Sequence, residues 1–150
     1  MARSFVVQQH QATTLHYDFR LEVGGVLRSW AVPKGPSMDP AEKRLAVEVE
    51  DHSLAHGSFE GRAGKGGVII WDRGSYEPLD DEGIEAALAQ GKASFRLAGE
   101  KLRGAFTLVR TRGNEKKPQW LLIKRRDDEA GENADRPESV VSGKTLEELL

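Results

Sequence analysis

Short runs in which apolar and polar residues alternate follow one another through the first 126 residues, separated by Gly and Pro. Because successive side chains of a β-strand point to opposite faces, this period of two predicts strands with one buried face. Eight strands are predicted, over residues 3–8, 16–23, 26–32, 44–51, 67–73, 93–97, 105–112 and 119–124.

Turn and helix signals complete this pattern. Gly24 and Gly25 separate two alternating runs and supply the positive φ of a two-residue hairpin turn. A helix is predicted over residues 84–90, stopped by Gly91, and a weak helical turn over residues 145–150. Since closure removes exposed strand edges, we expect a mainly β fold, a closed or nearly closed β-barrel of about eight strands with one or two short helices. A β-sandwich is the alternative.

Composition narrows the class of protein. The chain has 150 residues and no Cys, which excludes disulfides and thiolate metal sites. No run approaches the roughly 20 apolar residues of a membrane span, and we expect a cytoplasmic protein with no membrane partner. The net charge of −2 is unevenly distributed along the chain, because residues 127–150 hold eight acidic and two basic residues. We therefore predict a barrel domain over residues 1–126 and an acidic, flexible tail over 127–150.

Candidate chemistry concentrates near the amino terminus, where all four histidines lie within the first 56 residues. On the second predicted strand, His16, Asp18 and Arg20 share one face, opposite an apolar face expected in the core. Imidazole and carboxylate bind Mn, Fe or Zn, and His10 completes a two-His, one-carboxylate set with open positions. Arg20 is placed to fork onto a phosphate or carboxylate at the metal. A solvated outer face is the alternative.

A second polar row is predicted on the fourth strand. Its apolar side is assigned to Leu45, Val47 and Val49, and its polar side to Arg44, Glu48, Glu50 and His52. If both polar rows line one groove, Glu50 and His52 reach the same site as Asp18. A surface His52 at a strand end is the alternative.

Three further features were weighed for function. Lys34, held between Pro33 and Gly35, suits either a phosphate contact or a solvated turn. The Gly-rich stretch at residues 64–67 is not a nucleotide-binding loop, because Phe59 stands where that motif requires its first Gly. The three Trp residues are predicted in the core rather than as base-stacking platforms. They are Trp30, Trp71 and Trp120.

Several sequence blocks occur in a fixed order along the chain. They are His10 followed by His16-Tyr-Asp-Phe-Arg-Leu-Glu, then Trp30-Ala-Val-Pro-Lys-Gly-Pro-Ser, Val47-Glu-Val-Glu-Asp-His52, Trp71-Asp-Arg-Gly and Gln119-Trp-Leu-Leu-Ile-Lys. Together they resemble the 3′-phosphoesterase domain of bacterial DNA ligase D, here as a stand-alone version. Where the family often has Tyr, this chain has His56.

The resemblance implies a Mn²⁺-dependent hydrolase, with other divalent transition metals as alternatives, that heals 3′ ends of DNA or RNA–DNA primer-templates. A 3′-ribonucleoside phosphodiesterase step followed by a 3′-phosphomonoesterase step would leave a 3′-hydroxyl for ligation in non-homologous end joining. Ligase, polymerase and Ku-type proteins would be partners in trans.

Site residues follow from the same resemblance. The implied metal ligands are His10, His16 and Asp18; the implied catalytic residues are His52, Arg20, His56 and Glu50; the implied phosphate contacts are Arg20, His52, Lys34 and Arg44. A protonated His52 would stabilise charge on the phosphate oxygens and protonate the leaving oxygen.

Two other functions fit some of these residues. His16, Asp18 and His52 also match the facial triad of non-haem Fe(II) oxygenases, with Arg62 as a co-substrate clamp. A non-catalytic nucleic-acid-binding barrel would use Arg20, Lys34 and Arg44, with affinity falling steeply in salt.

Overall fold

The computed structural model describes residues 3–111, 117–131 and 136–150. The strands within them are Arg3–Gln11 (β1), Leu15–Val23 (β2), Val26–Val32 (β3), Arg44–His52 (β4), Gly61–Ala63 (β5), Gly66–Pro78 (β6), Lys92–Gly99 (β7), Arg103–Arg110 (β8) and Gln119–Lys124 (β9). Helices lie at Ile84–Gln90 (α1) and Leu146–Leu149 (α2), with a 3₁₀ helix at Leu54–Ser58.

The sheet closes into an antiparallel barrel. Its strand order is β1-β2-β3-β4-β9-β8-β7-β6, and β6 pairs back with β1, so eight strands of the described chain form the ring. The predicted closed, mainly β fold with two short helices is confirmed. The three-residue strand β5 pairs only with β6, outside the ring. This strand was not predicted, because its Gly-rich sequence carries no alternating pattern.

Glycine geometry explains the tightest connections. Gly24 and Gly25 both have positive φ, at 59° and 85°, and join β2 to β3 as predicted. Gly91 ends α1 in the left-handed conformation, and the bounds of this helix are those predicted.

The barrel interior holds the apolar core. Phe19 and Leu21 of β2 are fully buried, and the three Trp residues are also buried, as predicted. The main core cluster includes Phe5, Phe19, Leu21, Trp30, Phe95, Phe106, Leu108, Trp120 and Leu122. Because β2 presents its apolar face inward, its polar face lies on the outside of the barrel.

Strand β4 faces the opposite way from the prediction. Leu45 is 43% exposed, whereas Ala46 is fully buried opposite Trp120. Glu48, on the same inner side as Ala46, accepts a hydrogen bond from Nε1 of Trp120 at 2.9 Å. The indole hydrogen bond and the small Ala46 side chain therefore fix this register, and the assignment of Leu45 to the core was wrong.

Strand β6 is longer than predicted and runs on to Pro78. Gly74 permits this, because a Cβ at that position would lie 2.1 Å from the carbonyl oxygen of Ala98 on β7. The predicted strand over residues 105–112 corresponds to β8, which ends at Arg110; residue 112 lies outside the described residues.

A buried carboxylate organises the turn between β7 and β8. Asp72 is fully buried and accepts backbone hydrogen bonds from Glu100 and Lys101 at Oδ1 and from Leu102 at Oδ2, at 2.8–3.2 Å. Burial raises the pKa of this carboxyl, although these hydrogen bonds oppose the shift.

The segment after residue 135 lies against the barrel. We define residues 136–142 as the strap. Lys101 Nζ donates to the carbonyl oxygens of Arg136 and Glu138 at 2.7 and 2.6 Å, and Trp71 Nε1 donates to Arg136 O at 2.9 Å. Beyond the strap, Leu146 of α2 is buried. These contacts of the predicted tail are made through backbone carbonyls, which carry no sequence signal, and the expected flexibility of residues 127–150 stays a prediction.

The division at residue 126 into a barrel domain and a tail stays a prediction. In the part of the chain that the structure describes, no helix has the length and apolar character needed to span a membrane.

Candidate active site

The polar face of the β1–β2 hairpin brings three candidate metal ligands together. In the register of this hairpin, His10 lies directly opposite His16 and Gln8 lies opposite Asp18. Paired residues of antiparallel strands project to the same face, which here is the outside of the barrel. The rings of His10 and His16 are 4.9 Å apart, so the predicted ligands from two strands occupy one place.

The donor atoms of this set have the spacing that a metal ion needs. Nε2 of His16 lies 3.3 Å from Oδ1 of Asp18, and Nδ1 of His10 lies 3.8 Å from Oδ2. One ligand atom from each of His10, His16 and Asp18 lies within 4.8 Å of the other two. Two imidazoles and one carboxylate on an open face suit a divalent transition metal with positions left for water or substrate. The residues present therefore fit a metal.

The surroundings of His10 and His16 shift the pKa values of these two side chains in opposite directions. The hydrogen bond to Asp18 raises the pKa of His16. Burial and the neighbouring His16 lower the pKa of His10. Burial works to raise the pKa of Asp18, but the His16 hydrogen bond and the Arg20 charge bring it below its usual value. Because a ligating imidazole must be deprotonated, His16 is the member of this pair at which protons compete first with a metal.

Arg20 is fixed by four neighbours. Its Nε donates to Oε1 of Gln8 at 2.7 Å, and its Nη1 donates to Oγ of Ser29 at 2.8 Å. Nη1 also lies 3.0 Å from Nδ1 of His52, and Nη2 lies 3.3 Å from Oδ2 of Asp18. A guanidinium has five N–H donors, so one is left without a partner among the described residues. This geometry favours a single charge-assisted contact to an anion rather than the expected fork.

The contact with Arg20 also decides the tautomer of His52. A guanidinium only donates, so Nδ1 of His52 accepts and its ring proton sits on Nε2. This pairing favours a neutral His52 rather than the protonated one expected from the sequence. The ring of His56 lies 4.5 Å from that of His52, so both belong to the cluster. Burial and the charge of Arg20 lower the pKa of His56.

Three predicted residues lie apart from this cluster. Glu50 is exposed and has no hydrogen bond or ion pair within the described ranges. Lys34 and Arg44 line a separate pocket of about 440 Å³, where Arg44 Nη2 lies 3.4 Å from Glu42 Oε2. Their predicted roles stay predictions.

The oxygenase alternative required His52 as a metal ligand. In the structure His10 joins His16 and Asp18, while Nδ1 of His52 faces Arg20. Arg62 is exposed on β5.

Sequence reasoning missed two buried polar residues that support the cluster. Gln8 is fully buried, and its Nε2 donates to the carbonyl oxygens of His56 and Phe59, both at 3.0 Å. Ser29 is likewise fully buried beside Arg20. The sequence does carry a signal for Gln8. This amide follows the apolar run of residues 5–7 and lies two positions before His10, so on a strand its side chain shares the face of His10.

Comparisons with known proteins agree with the sequence resemblance. A family model described as the DNA ligase D 3′-phosphoesterase domain matches residues 8–110. The chain is 52% identical to the multifunctional non-homologous end joining protein LigD of Pseudomonas aeruginosa over 155 aligned positions, which cover 95% of this chain and 18% of that protein. It is 42% identical to the LigD protein of Mycolicibacterium smegmatis over 132 positions, covering 82% and 17%.

A similar match is found to the multifunctional non-homologous end joining DNA repair protein LigD of Mycobacterium tuberculosis, with 42% identity over 123 positions, 79% of this chain and 15% of that protein. The chain spans less than a fifth of the length of each of these curated relatives. The family model covers β2, β3 and β4 entirely, and with them most of the residues of the cluster described above. From the matched model and this level of identity, the chain belongs to the DNA ligase D 3′-phosphoesterase domain family.

Proposed function

We propose that this chain is a metal-dependent phosphoesterase that heals 3′ ends of DNA and of RNA–DNA primer-templates. It would remove a terminal ribonucleoside by a phosphodiesterase step and the remaining 3′-phosphate by a phosphomonoesterase step, leaving a 3′-hydroxyl for ligation in end joining. The observation that carries this proposal is the juxtaposition of the His10, His16 and Asp18 ligand set with the Arg20–His52 pair on one face of the barrel.

Mn²⁺ is the ion that we propose for this ligand set. Nitrogen and oxygen donors suit Mn²⁺, and other divalent transition metals accept the same ligands. When bound, such an ion neutralises phosphate charge and lowers the pKa of a bound water.

The chain supplies a fixed positive charge beside the metal ligands. Gln8 and Ser29 hold the Arg20 guanidinium, which is only 3% exposed, so its free N–H is aimed before a substrate arrives. Preorganised donors of this kind stabilise charge that grows on phosphate oxygens, because they need no reorganisation during the reaction.

His52 supplies a hydrogen-bond donor. With Nδ1 accepting from Arg20, the Nε2–H of His52 is the group available to donate a hydrogen bond to a phosphate oxygen, where it would stabilise developing charge. His56 would be a second neutral imidazole at the same phosphate. Its lowered pKa keeps it uncharged near neutral pH, where it can accept or donate a hydrogen bond.

We propose that positively charged side chains bind the nucleic acid at phosphates other than the one that reacts. Lys34 and Arg44 line one pocket, and we propose that it takes a backbone phosphate of the primer-template. Ligase, polymerase and Ku-type proteins are the proposed partners, acting on the same ends.

The test uses purified protein, Mn²⁺ and two 5′-labelled primer-templates, one ending in a ribonucleotide and one in a 3′-phosphate. An Asp18→Ala variant is the matched control for contaminating nucleases. Trimming of both substrates by the wild type alone supports the proposal. Turnover that requires Fe²⁺ and O₂ would indicate the oxygenase alternative. Binding that survives in Asp18→Ala, with no turnover by either protein, would indicate a binding module.

A further inference from the structure

The loop that carries His56 depends on contacts outside itself. We define residues 53–60, between β4 and β5, as the site loop. None of the residues in its 3₁₀ helix is buried, so the loop has no core of its own. On its inner side, Gln8 donates to the carbonyl oxygens of His56 and Phe59. Segments with few buried apolar contacts open locally at low free-energy cost unless they are tethered.

The site loop and the strap cover one apolar patch. Val6, Leu27 and Ile70 form a small cluster separate from the main core, and Val140 of the strap packs against it. Gly57 of the site loop approaches the same cluster closely, since a Cβ there would lie 2.9 Å from Leu27 and 3.2 Å from Val6. A shift of the strap therefore changes the surface on which the site loop rests.

Glu60 joins the site loop to the strap by hydrogen bonds. Its Oε1 accepts from the backbone N–H of Ile70 at 2.7 Å and from Oγ of Ser139 at 2.5 Å. The hydroxyl oxygen of Ser139 itself accepts from the backbone N–H groups of Val141 and Ser142 at 2.9 and 3.0 Å. The single hydroxyl proton of Ser139 is thus directed to Glu60.

Backbone pairing reinforces this link. The N–H of Val140 donates to the carbonyl oxygen of Ile70 at 3.0 Å, so both polar groups of the fully buried Ile70 backbone contact either Glu60 or the strap. Burial opposes ionisation of Glu60, but the hydrogen bonds from Ser139, Ser142 and Ile70 lower its pKa and keep it an acceptor.

We propose that Glu60 is a positioning residue that couples the strap to the site loop and thereby holds His56 next to His52. This inference rests on the proposed function for its effect on catalysis, but not for the coupling itself. Glu60 does not contact the cluster of His10, His16, Asp18 and Arg20. It acts through the backbone of the site loop, and the strap is accordingly part of the support of the site.

The experiment compares Glu60→Ala, Glu60→Gln and Ser139→Ala with the wild type. Gln keeps an oxygen that can accept from Ile70 and Ser139, whereas Ala removes it. Thr145→Ala is the matched control, because it removes the cap of α2 but leaves the Glu60–Ser139 contact. Two readouts are taken: hydrogen exchange of the His56 and Phe59 amides, which donate to carbonyls within the site loop, and kcat and KM on a 3′-phosphate primer-template with Mn²⁺.

We expect Glu60→Ala to speed exchange of these two amides by about 10-fold relative to the amides of β8. It should also lower kcat by about 10-fold with little change in KM, since misplacement of a reacting group by about 1 Å slows catalysis strongly. Glu60→Gln should restore most of both values, and Thr145→Ala should change neither. Because Glu60 and Ser139 share one contact, the double alanine variant should be no worse than Glu60→Ala.

Two results would overturn the coupling: exchange in Glu60→Ala at the wild-type rate, or an equal increase in Thr145→Ala. Faster exchange in Glu60→Ala with unchanged kcat would show that the link does not position His56. If the wild type has no turnover while Glu60→Ala still loosens the site loop, the coupling stands and the proposed function fails.

Discussion

Two buried aspartates on this barrel have the same side chain and opposite surroundings. Asp18 lies among charged and titratable side chains, with His10, His16 and Arg20 at 3.3–3.8 Å, and its pKa is lowered. Asp72 lies among neutral backbone N–H groups of the 99–102 turn, and burial raises its pKa.

The difference separates a site from a structural support. The oxygens of Asp72 are fully buried and accept three backbone hydrogen bonds from this turn, so an incoming ion cannot reach them. Asp18 is 7% exposed on the outer face, beside Arg20 and the two histidines of the candidate metal set. Its existing contacts are 3.3–3.8 Å long, so an incoming ion can replace them. Burial of a carboxylate is therefore uninformative by itself, and the chemical nature of its partners distinguishes the two roles.

Removing the ligand at Asp18 should have the largest effect. In Asp18→Asn we expect Mn²⁺ affinity to fall by at least about 100-fold, since even an outer-shell partner of a ligand contributes 10- to 100-fold. Hydrolysis of a 3′-phosphate primer-template should be lost with it. Isothermal titration with Mn²⁺ and circular dichroism measure binding and fold. Wild-type affinity in this variant would remove Asp18 from the metal set.

Removing the hydrogen-bond donor of His52 separates metal binding from catalysis within the same cluster. We expect His52→Ala to slow hydrolysis by about 10² to 10³-fold while Mn²⁺ affinity stays near that of the wild type. Single-turnover rates on a 3′-phosphate primer-template, at saturating Mn²⁺, provide the measurement. An unchanged rate would contradict the proposed role of His52, and a lost affinity would make it a metal ligand.

The matching change at Asp72 should affect stability instead. Asp72→Asn replaces one accepting oxygen by an NH₂ group that faces a backbone donor, and leaving buried N–H groups unpaired costs about 1–3 kcal/mol. Urea denaturation should show this loss, while kcat per folded molecule and Mn²⁺ affinity stay unchanged. A large fall in kcat at full folding would break the comparison between the two aspartates.

A pH-dependent effect on stability is predicted for Lys101, beside Asp72. Burial lowers the pKa of its amine from 10.5 to about 8. The unfolded chain therefore holds more protons than the folded one between about pH 8 and 10.5, and the free energy of unfolding should rise with pH across this window. Lys101→Met should remove that rise. The measurement is urea denaturation at pH 7.5 and 10, and an identical pH dependence in both proteins would contradict the assignment.

The alternation of polar and apolar residues predicted correctly which side chains of β2 face the core, but not which side chains of β4 do. On β2 the polar and apolar sides differ strongly, so the face of each of His16, Asp18 and Arg20 was predictable from sequence. On β4 the apolar residues Leu45, Val47 and Val49 predicted the inner face, yet Ala46 faces the core because its neighbour across the sheet is the bulky Trp120. Volume complementarity between strands distant in sequence is not encoded in either strand by itself.

The sequence marks Gln8 as a polar residue near His10, but the contacts that support the site could not be predicted from it, for a related reason. Gln8 donates to backbone carbonyls and Glu60 accepts from a backbone N–H. Because backbone groups are alike in nearly every residue, the sequence does not indicate which of them a side chain will contact. The strap likewise contacts Lys101 and Trp71 through its carbonyls. In the motif Trp71-Asp72-Arg-Gly74, which resembles the family's, Trp71, Asp72 and Gly74 have structural roles.

Strand β1 makes one contact that is local in sequence and one that is distant. The proposed metal ligands come from a single hairpin, residues 10–18, whose register is local in sequence. The ring closes only when β1 pairs with β6, which joins Arg3 to Tyr76. Such distant pairing forms slowly, because the entropy of closing a long loop is lost before the contacts that stabilise the pair are made. During synthesis, the β1–β2 hairpin can therefore form before the part of β6 that pairs with the other edge of β1, about 70 residues further along the chain, has been made.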